Sequence, residues 1–318
     1  MRVALQMDPI MGINPATDSS FLLGLGAQER GHALFVYTPR DLFWQDGKLM
    51  AHLSAVTLQR PGPGLKAGAH AQLATAQTVE LAESVDVILL RQDPPFNMGY
   101  LSTTYLLEAI REKVRIVNDP TGVRNSPEKL LILPFSRFMP PTLISADKGD
   151  ISAFAQTHKK VVVKKIYGHG GRDVSLFDAG DPALLAFAEE HWQKTSEPLM
   201  VQAFLPEVRE GDKRIILFDG EPVGIMRRVP AEGKFLANLA QGGTAVKTEM
   251  TARDHEICAA LAPALRAAGL YFVGLDIIGE HLIEVNVTSP TGLASINALG
   301  NLTGEARMEM RFWKGLGM

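Results

Sequence analysis

Between residues 274 and 286 the chain reads Gly-Leu-Asp-Ile-Ile-Gly-Glu-His-Leu-Ile-Glu-Val-Asn, and the alternation of side chains along a strand leaves few ways to fold it. A turn around Glu280 makes it a hairpin. If that turn holds an odd number of residues centred on Glu280, Asp276 faces Glu284, and Leu275, Ile277, Ile283 and Val285 form one wholly apolar face. Asp276, Glu284 and Asn286 then share the other face, whereas an even turn mixes the two sets. The apolar pattern therefore predicts the odd register. Two carboxylates and an amide oxygen on one face repel unless a hard cation lies between them, and Mg²⁺ takes oxygen ligands together with phosphate. The pattern points to a metal–phosphate site; the plainer alternative is an exposed hairpin carrying ordinary polar residues.

A second stretch runs Val161-Val162-Val163-Lys164-Lys165-Ile166-Tyr167-Gly168-His169-Gly170-Gly171-Arg172, a strand ending in lysine and then a glycine-rich loop. Backbone N–H groups of such a loop can approach phosphate oxygens, and a neighbouring lysine neutralises charge. No Gly-Lys-Ser/Thr follows and no GxGxxG opens the chain, so neither a Walker loop nor a dinucleotide fingerprint is present, and a glycine turn in a plain hairpin competes as an explanation. Basic residues also punctuate apolar segments: Lys129 on an expected helix, Lys213 and Arg214 after Gly211-Asp212, and Arg227-Arg228 before Val229-Pro230. Singly these suit a solvated surface. Together they suit phosphoryl transfer, which needs several cations around the moving group. His169 shows no partner, Cys258 falls in the apolar pattern of a helix, and neither HExxH nor CxxC occurs, so nucleophilic Cys/His or Ser/His/Asp chemistry and zinc are rejected.

The rest of the chain supplies the frame. Segments 3–7, 33–37, 85–90 and 115–117 read as strands of a parallel sheet, with helices over 19–29 and 102–113 and an Asp46-Gly47 hairpin turn. Beyond residue 122, helices are expected at 127–133, 147–158, 181–191 and 253–268. Strands are expected at 161–164, 174–177 and 199–204, with hairpins 213–218/221–228 and 271–278/282–287. The fold class is α/β, in three parts: 1–122, 123–200 and 201–318. With 318 residues, 46% of them apolar, there is a real core to bury. A net charge of −3 from 32 basic and 35 acidic residues creates no field that would collect nucleic acid or an anionic membrane. One cysteine, no secretory segment and no apolar run near 18 residues lead us to expect a soluble, cytoplasmic protein.

Read in order, Met7-Asp8-Pro9-Ile10, Asp18-Ser19-Ser20-Phe21, Arg91-Gln92-Asp93-Pro94-Pro95-Phe96, Gly211-Asp212-Lys213-Arg214, Asp219-Gly220-Glu221-Pro222-Val223, Phe272-Val273-Gly274-Leu275-Asp276-Ile277-Ile278-Gly279 and Glu284-Val285-Asn286-Val287-Thr288-Ser289-Pro290-Thr291 resemble the bacterial glutathione synthetase family. The resemblance implies an ATP-grasp fold: an N-terminal substrate-binding α/β domain, a small lid, and a C-terminal antiparallel-sheet domain, with ATP clamped between two sheets. It implies that Lys129 and Lys164 meet the nucleotide phosphates beneath Gly168, Gly170 and Gly171, that Gln202, Phe204 and Leu205 contact adenine, and that Asp212 lies near the ribose. Asp276, Glu284 and Asn286 become the ligands of Mg²⁺, with Mn²⁺ as the alternative ion and Asn286 also near ATP. Arg214 and Arg228 surround the reacting carboxylate and γ-phosphate as the catalytic pair. Asp18, Ser19, Arg91, Asn238, Ser289 and Thr291 fall on the substrates, γ-glutamylcysteine and glycine, and the family forms homo-oligomers, tetramers or dimers.

The implied chemistry is two-step: the cysteinyl carboxylate attacks the γ-phosphate to give an acyl phosphate, which the amine of glycine displaces. Such a site needs cations and a lid against water, for which 168–171 and 231–243 are suitable. Two departures stand on the substrate side. Leu236-Ala237-Asn238 lacks an arginine common in the family, and Gly292-Leu293-Ala294-Ser295 replaces its usual Ile-Arg-Glu run. They leave open a ligase of the same kind acting on another γ-glutamyl or dipeptide donor or another amine. A nucleotide-binding protein without ligation is the further alternative, disfavoured by the crowded carboxylates.

Overall fold

The structure is a computed structural model that describes residues 1–62, 68–171, 173–231 and 242–318. Its first sheet runs in the order Leu42–Gln45, Lys48–Leu58, Ala33–Tyr37, Arg2–Gln6, Val87–Leu90, Arg115–Val117, with Ala71–Leu73 and Gln77–Glu80 added alongside Lys48–Leu58. The four central and right-hand strands are parallel, and Val3, Ala4, Leu5, Ile88 and Leu89 are buried as strands covered on both faces must be. Helix Ser19–Glu29 covers one face. Asp18 caps it, its carboxylate accepting from the Phe21 N–H at 2.7 Å, and Gly31 at φ +77° ends it. The C-terminal helix Met308–Gly315 closes the same core, with Trp313 buried and its indole N–H donating to the Leu23 carbonyl at 2.8 Å.

A second sheet, Val174–Asp178, Lys160–Lys165, Leu199–Ala203, Thr142–Ser145, is antiparallel throughout. Helices Lys148–His158 and Pro182–Trp192 pack on one face through Ile151, Ala155, Val161, Val163, Leu184 and Val201. Alternation sends Val162, Lys164 and Gln202 to the opposite face. Its strand Leu199–Ala203 runs past the expected division at 200. The third sheet is also antiparallel: Thr244–Val246, Glu221–Val229, Asp212–Phe218, Phe272–Ile278, His281–Asn286. Helix Ala252–Ala267 lies against it and buries Cys258, whose thiol burial pushes up to about 12.

Three expectations are corrected. The helix expected over 102–113 is Met98–Glu108, because Asn97 caps it by accepting from the Tyr100 N–H at 3.1 Å. Residues 127–133 are not a helix. The amides of Leu130 and Leu131 both turn back to the Pro127 carbonyl, and a 3₁₀ segment Leu133–Phe138 follows around Pro134. The hairpin at 274–286 pairs Asp276 with Glu284 and Leu275 with Val285 as expected, but its tip is the even turn of Gly279 and Glu280, with Ile278 opposite His281 and Ile277 opposite Leu282. A bulge at Ile283 makes up the odd residue. The fully buried apolar set is therefore Leu275, Ile277, Leu282 and Val285, and Ile283 joins Glu284 on the other side.

Asn118 fastens the first sheet to the third. Its amide donates to the Phe272 and Val287 carbonyls at 2.8 and 2.9 Å and accepts from the Phe272 N–H at 2.7 Å, at 3% exposure. Asn118→Ala orphans three buried backbone groups and is expected to lower unfolding stability by about 3 kcal/mol; a urea melt within 0.5 kcal/mol of wild type, roughly the scatter of neutral surface changes, contradicts this.

Candidate active site

The free faces of the second and third sheets look at each other across a cavity. Its apolar walls come from Pro140, Val162, Val174, Leu205, Val208, Ile278 and Ile283, a slot suited to a flat ring. Gly168, His169, Gly170 and Gly171 form one rim. A Cβ on Gly168 would lie 2.5 Å from that of Asp173, and Gly170 and Gly171 sit at φ +62° and +75°, so this loop shape is reserved for glycine. Lys164 is at the floor, 7% exposed, with its ammonium donating to Gln202 Oε1 at 2.6 Å, while Gln202 Nε2 donates to Thr142 Oγ1 at 3.0 Å. Burial foremost pulls the Lys164 pKa down to about 8, Glu284 opposing and Lys129 adding to the shift.

On the third sheet, register sets a row of charges on one face. Arg214 is the cross-strand partner of Asp276, Asp276 of Glu284, and Asp212 of Arg228. Arg214 grips Asp276 with two bonds, Nε at 2.5 Å and the second nitrogen at 2.9 Å. Arg228 grips Asp212 at 2.7 and 2.6 Å and reaches Asp276 Oδ2 at 3.0 Å. Burial alone would raise the Asp276 pKa, but the two guanidiniums outweigh it and hold the carboxyl well below the usual range. The Asp212 pKa is raised, burial first, with Asp276 adding. Lys129 donates to Glu284 Oε1 at 2.9 Å and to the Gly168 carbonyl at 2.5 Å; burial lowers its pKa, and Glu284 more than compensates.

Neighbouring basic residues separate by alternation. Lys213, expected among the phosphate cations, points the other way and pairs at 2.5 Å with Asp254, which is fully buried at the start of helix Ala252–Ala267. Arg227 is Lys213's cross-strand partner and shares that side.

A divalent cation would find oxygen donors here. Asp276 Oδ1 receives a single donor and keeps a lone pair, Glu284 pairs with Lys129 alone among the described residues, and the Asn286 N–H₂ is turned to the Gly274 carbonyl and Asp276 Oδ2, leaving Asn286 Oδ1 as acceptor. Among the described residues no three His, Cys, Asp or Glu gather as a metal cluster. The set thus suits an ion that completes its shell with phosphate and water.

A second cleft opens between the first and third sheets, lined by Asp8, Asn14, Thr17, Asp18, Asp93, Thr291, Gly292 and Ser295. Burial raises the Asp18 pKa, the Phe21 amide and Arg91 opposing. Ser289 donates its hydroxyl to Asp93. Two expected substrate residues stand behind the cleft. Arg91, 4% exposed, donates to Ser20 Oγ at 2.9 Å and the Pro290 carbonyl at 2.8 Å above the Phe272 ring, and the fully buried Ser19 hydroxyl accepts from the Gly292 and Leu293 amides. Asn238 and most of the 231–243 loop lie outside the described residues. Sequence reasoning missed Glu128, whose buried Oε1 accepts from the Val287 and Thr288 amides and the Thr288 hydroxyl at 2.8–3.1 Å. Its only sequence signal is a place beside Lys129.

Residues 1–124 match the N-terminal domain of prokaryotic glutathione synthetase and residues 128–301 its ATP-grasp domain. Among curated relatives, "Glutathione synthetase" of Mesorhizobium japonicum is 44% identical over 98% of this chain and 97% of its own length. That of Agrobacterium fabrum is 46% identical over 94% and 92%, and that of Synechocystis sp. 41% over 94% and 95%. Among solved structures, D-cycloserine synthetase DcsG superposes with a TM-score of 0.65 at 15% identity over 99% and 98% of the two chains. The RimK domain ATP-grasp protein from Sphaerobacter thermophilus gives 0.63 at 16% over 98% and 99%. These two show the fold: three sheets in an ATP-grasp arrangement.

Proposed function

The chain belongs to the prokaryotic glutathione synthetase family, ATP-dependent ligases that make glutathione, and from that premise we propose how its residues divide the work. ATP lies in the cavity between the second and third sheets, its adenine in the apolar slot by Phe204 and Leu205, near Gln202, its ribose toward Asp212, and its phosphates between Lys129, Lys164 and the glycine loop. Asp276, Glu284 and Asn286 hold Mg²⁺. The ion supplies charge neutralisation and alignment of phosphate oxygens when bound.

The protein's own cations do the rest. Arg214 and Arg228 border the same row, where a donor carboxylate approaching a triphosphate must be shielded from it. The donor, γ-glutamylcysteine, fills the second cleft along Asp18, Ser289 and Thr291, with Ser19 and Arg91 bracing its walls. Attack of its cysteinyl carboxylate on the γ-phosphate gives an acyl phosphate and ADP, and the amine of glycine then displaces phosphate to form the peptide bond. Asn238 is proposed on the acceptor side. We propose a donor-binding part at 1–122, a lid at 123–200 whose last strand continues to Ala203, and a catalytic part from there to 318, in a homo-oligomer with a cytoplasmic place of work. No helix among the described residues is long and apolar enough to cross a membrane.

One observation carries the assignment: Asp276 faces Glu284 in register on one cavity wall, Lys129 reaches in from a segment bonded to the edge of that same sheet, and Lys164 reaches in from the facing sheet. The test is release of ADP with Mg·ATP and γ-glutamylcysteine, with and without glycine, across a panel of amines and dipeptides. Glutathione formed with glycine as the best acceptor is expected. Turnover confined to another pair moves the substrate assignment, and nucleotide binding without turnover on any pair overturns the ligase reading.

A further inference from the structure

Residues 91–97 touch all three parts of the molecule. Arg91 reaches the Pro290 carbonyl, Asp93 lines the second cleft and accepts from Ser289, and Phe96 stacks on Tyr167 of the glycine-rich loop, ring centroids 6.1 Å apart and planes 19° apart. Phe96 is braced from behind by Tyr100, at 5.1 Å. Tyr167 precedes Gly168, whose carbonyl Lys129 holds. The glycine loop is thus fastened at two points, by a cation from the nucleotide side and by an aromatic face from the loop that edges the other cleft.

Neither Phe96 nor Tyr167 lines the nucleotide cavity or the donor cleft; both line a small recess that shares Lys129, Gly168 and His169 with the nucleotide cavity. Between Asp93 and Phe96 stand Pro94 and Pro95. Two fixed φ angles stiffen this link and favour carrying a shift at Asp93 on to Phe96. Tyr167 is 36% exposed. An aromatic pair open to water on one side is a weak fastening, able to bias an equilibrium by roughly 2- to 10-fold and to release on each cycle.

We propose that Phe96 and Tyr167 form a latch that passes occupancy of the donor cleft, sensed at Asp93, to the glycine loop over the nucleotide phosphates. They are positioning residues. The inference rests on reading the two clefts as nucleotide and donor sites, and it gives the enzyme a means of closing on ATP only when a carboxylate is ready to receive phosphate. Linkage makes the effect mutual: donor tightens nucleotide binding and nucleotide tightens donor binding by the same factor.

The test is a double-mutant cycle on Phe96→Ala and Tyr167→Ala in the full chain, with Phe96→Leu and Tyr167→Phe as shape controls and thermal melts as a check on folding. Two quantities are read: the factor by which γ-glutamylcysteine tightens binding of a non-hydrolysable ATP analogue, and the ratio of ADP released to glutathione formed. In wild type the donor is expected to tighten analogue binding several-fold. Each alanine variant is expected to lose about 2- to 10-fold of that factor, to bind analogue alone within about 2-fold of wild type, and to release more ADP per glutathione. The double variant should be no worse than either single one, and Tyr167→Phe should match wild type. Absence of donor-dependent tightening in wild type, its survival in both alanine variants, or additive losses overturn the latch. Failure of wild type to make glutathione is instead the failure of the ligase reading, so the two are told apart by one control.

Discussion

Asp276→Ala is expected to reduce glutathione formation by about 10²- to 10³-fold and to lower unfolding stability by about 3–5 kcal/mol. Both effects follow from one carboxylate serving two purposes. Asp276 is 4% exposed and is gripped by Arg214 through two bonds, with Arg228 at 3.0 Å. Arg228 keeps Asp212 when Asp276 is gone, but Arg214 is left as a buried cation whose remaining hydrogen bond among the described residues is to the Thr291 carbonyl, at 3.2 Å. That orphaned charge is the source of the stability loss. Asp276→Asn separates the two purposes, because the amide keeps the shape and one acceptor for Arg214 while losing the charge that attracts a divalent ion. It should recover much of the stability and little of the turnover. Urea melts and ADP release on both variants measure this, and a variant with full turnover at saturating Mg²⁺ removes Asp276 from the metal site.

Lys164→Met is expected to lower kcat/KM for ATP by about 10²-fold or more, through loss of a buried cation beside the phosphates, and to move stability the opposite way. With its pKa near 8 in the folded protein against 10.5 for a free side chain, Lys164 is protonated below pH 8 at a burial penalty of about 3 kcal/mol. Between pH 8 and 10.5 the unfolded chain holds a proton that the folded chain has shed, so this group makes stability rise with pH across that window. The methionine variant should therefore be the more stable protein below pH 8 and should lack that rise. Nucleotide reverses the balance, since phosphate favours the ammonium. ATP binding above pH 8 is expected to take up a proton and to weaken as pH rises, in wild type and not in Lys164→Met. Calorimetry in two buffers of different ionisation enthalpy reads the proton directly, and equal heats in both at pH 9 would falsify the linkage.

Much of the site was legible because strand alternation is a strict rule. It put Asp276 opposite Glu284. It chose the wrong tip, an odd turn centred on Glu280, because Leu282 and Ile283 are equally apolar and a bulge that puts one in the core in place of the other leaves no mark in the pattern. The two-residue turn wins, and the bulge restores the pairing. The same rule, applied to Lys213 and Arg214, separates them to opposite faces once a strand is assigned there; counting basic residues along the sequence had put both among the phosphate cations. Local propensity misplaced 127–133, where consecutive side chains, Glu128 and Lys129, are both drawn inward by partners on a distant strand. Glu128 and Asn118 were invisible for that reason. Their partners lie more than 150 residues away, and nothing nearby marks either as more than a polar residue in a turn.

The bulge at Ile283 also divides the hairpin into an end that tolerates insertion and one that does not. Beyond it, Gly279 and Glu280 form a tip that meets the side chain of Glu207 and accepts a long hydrogen bond, 3.4 Å, from Arg253 Nε to the Glu280 carbonyl, so a peptide tag spliced between them leaves the match of Asp276 to Glu284 untouched. Deleting Ile283 only removes the bulge and keeps Glu284 opposite Asp276, whereas one residue inserted after Glu284 shifts the rest of the strand by one and turns Val285 out of the core. A reporter at the tip and a single residue added next to Glu284 thus lie at opposite extremes of what this sheet can accept.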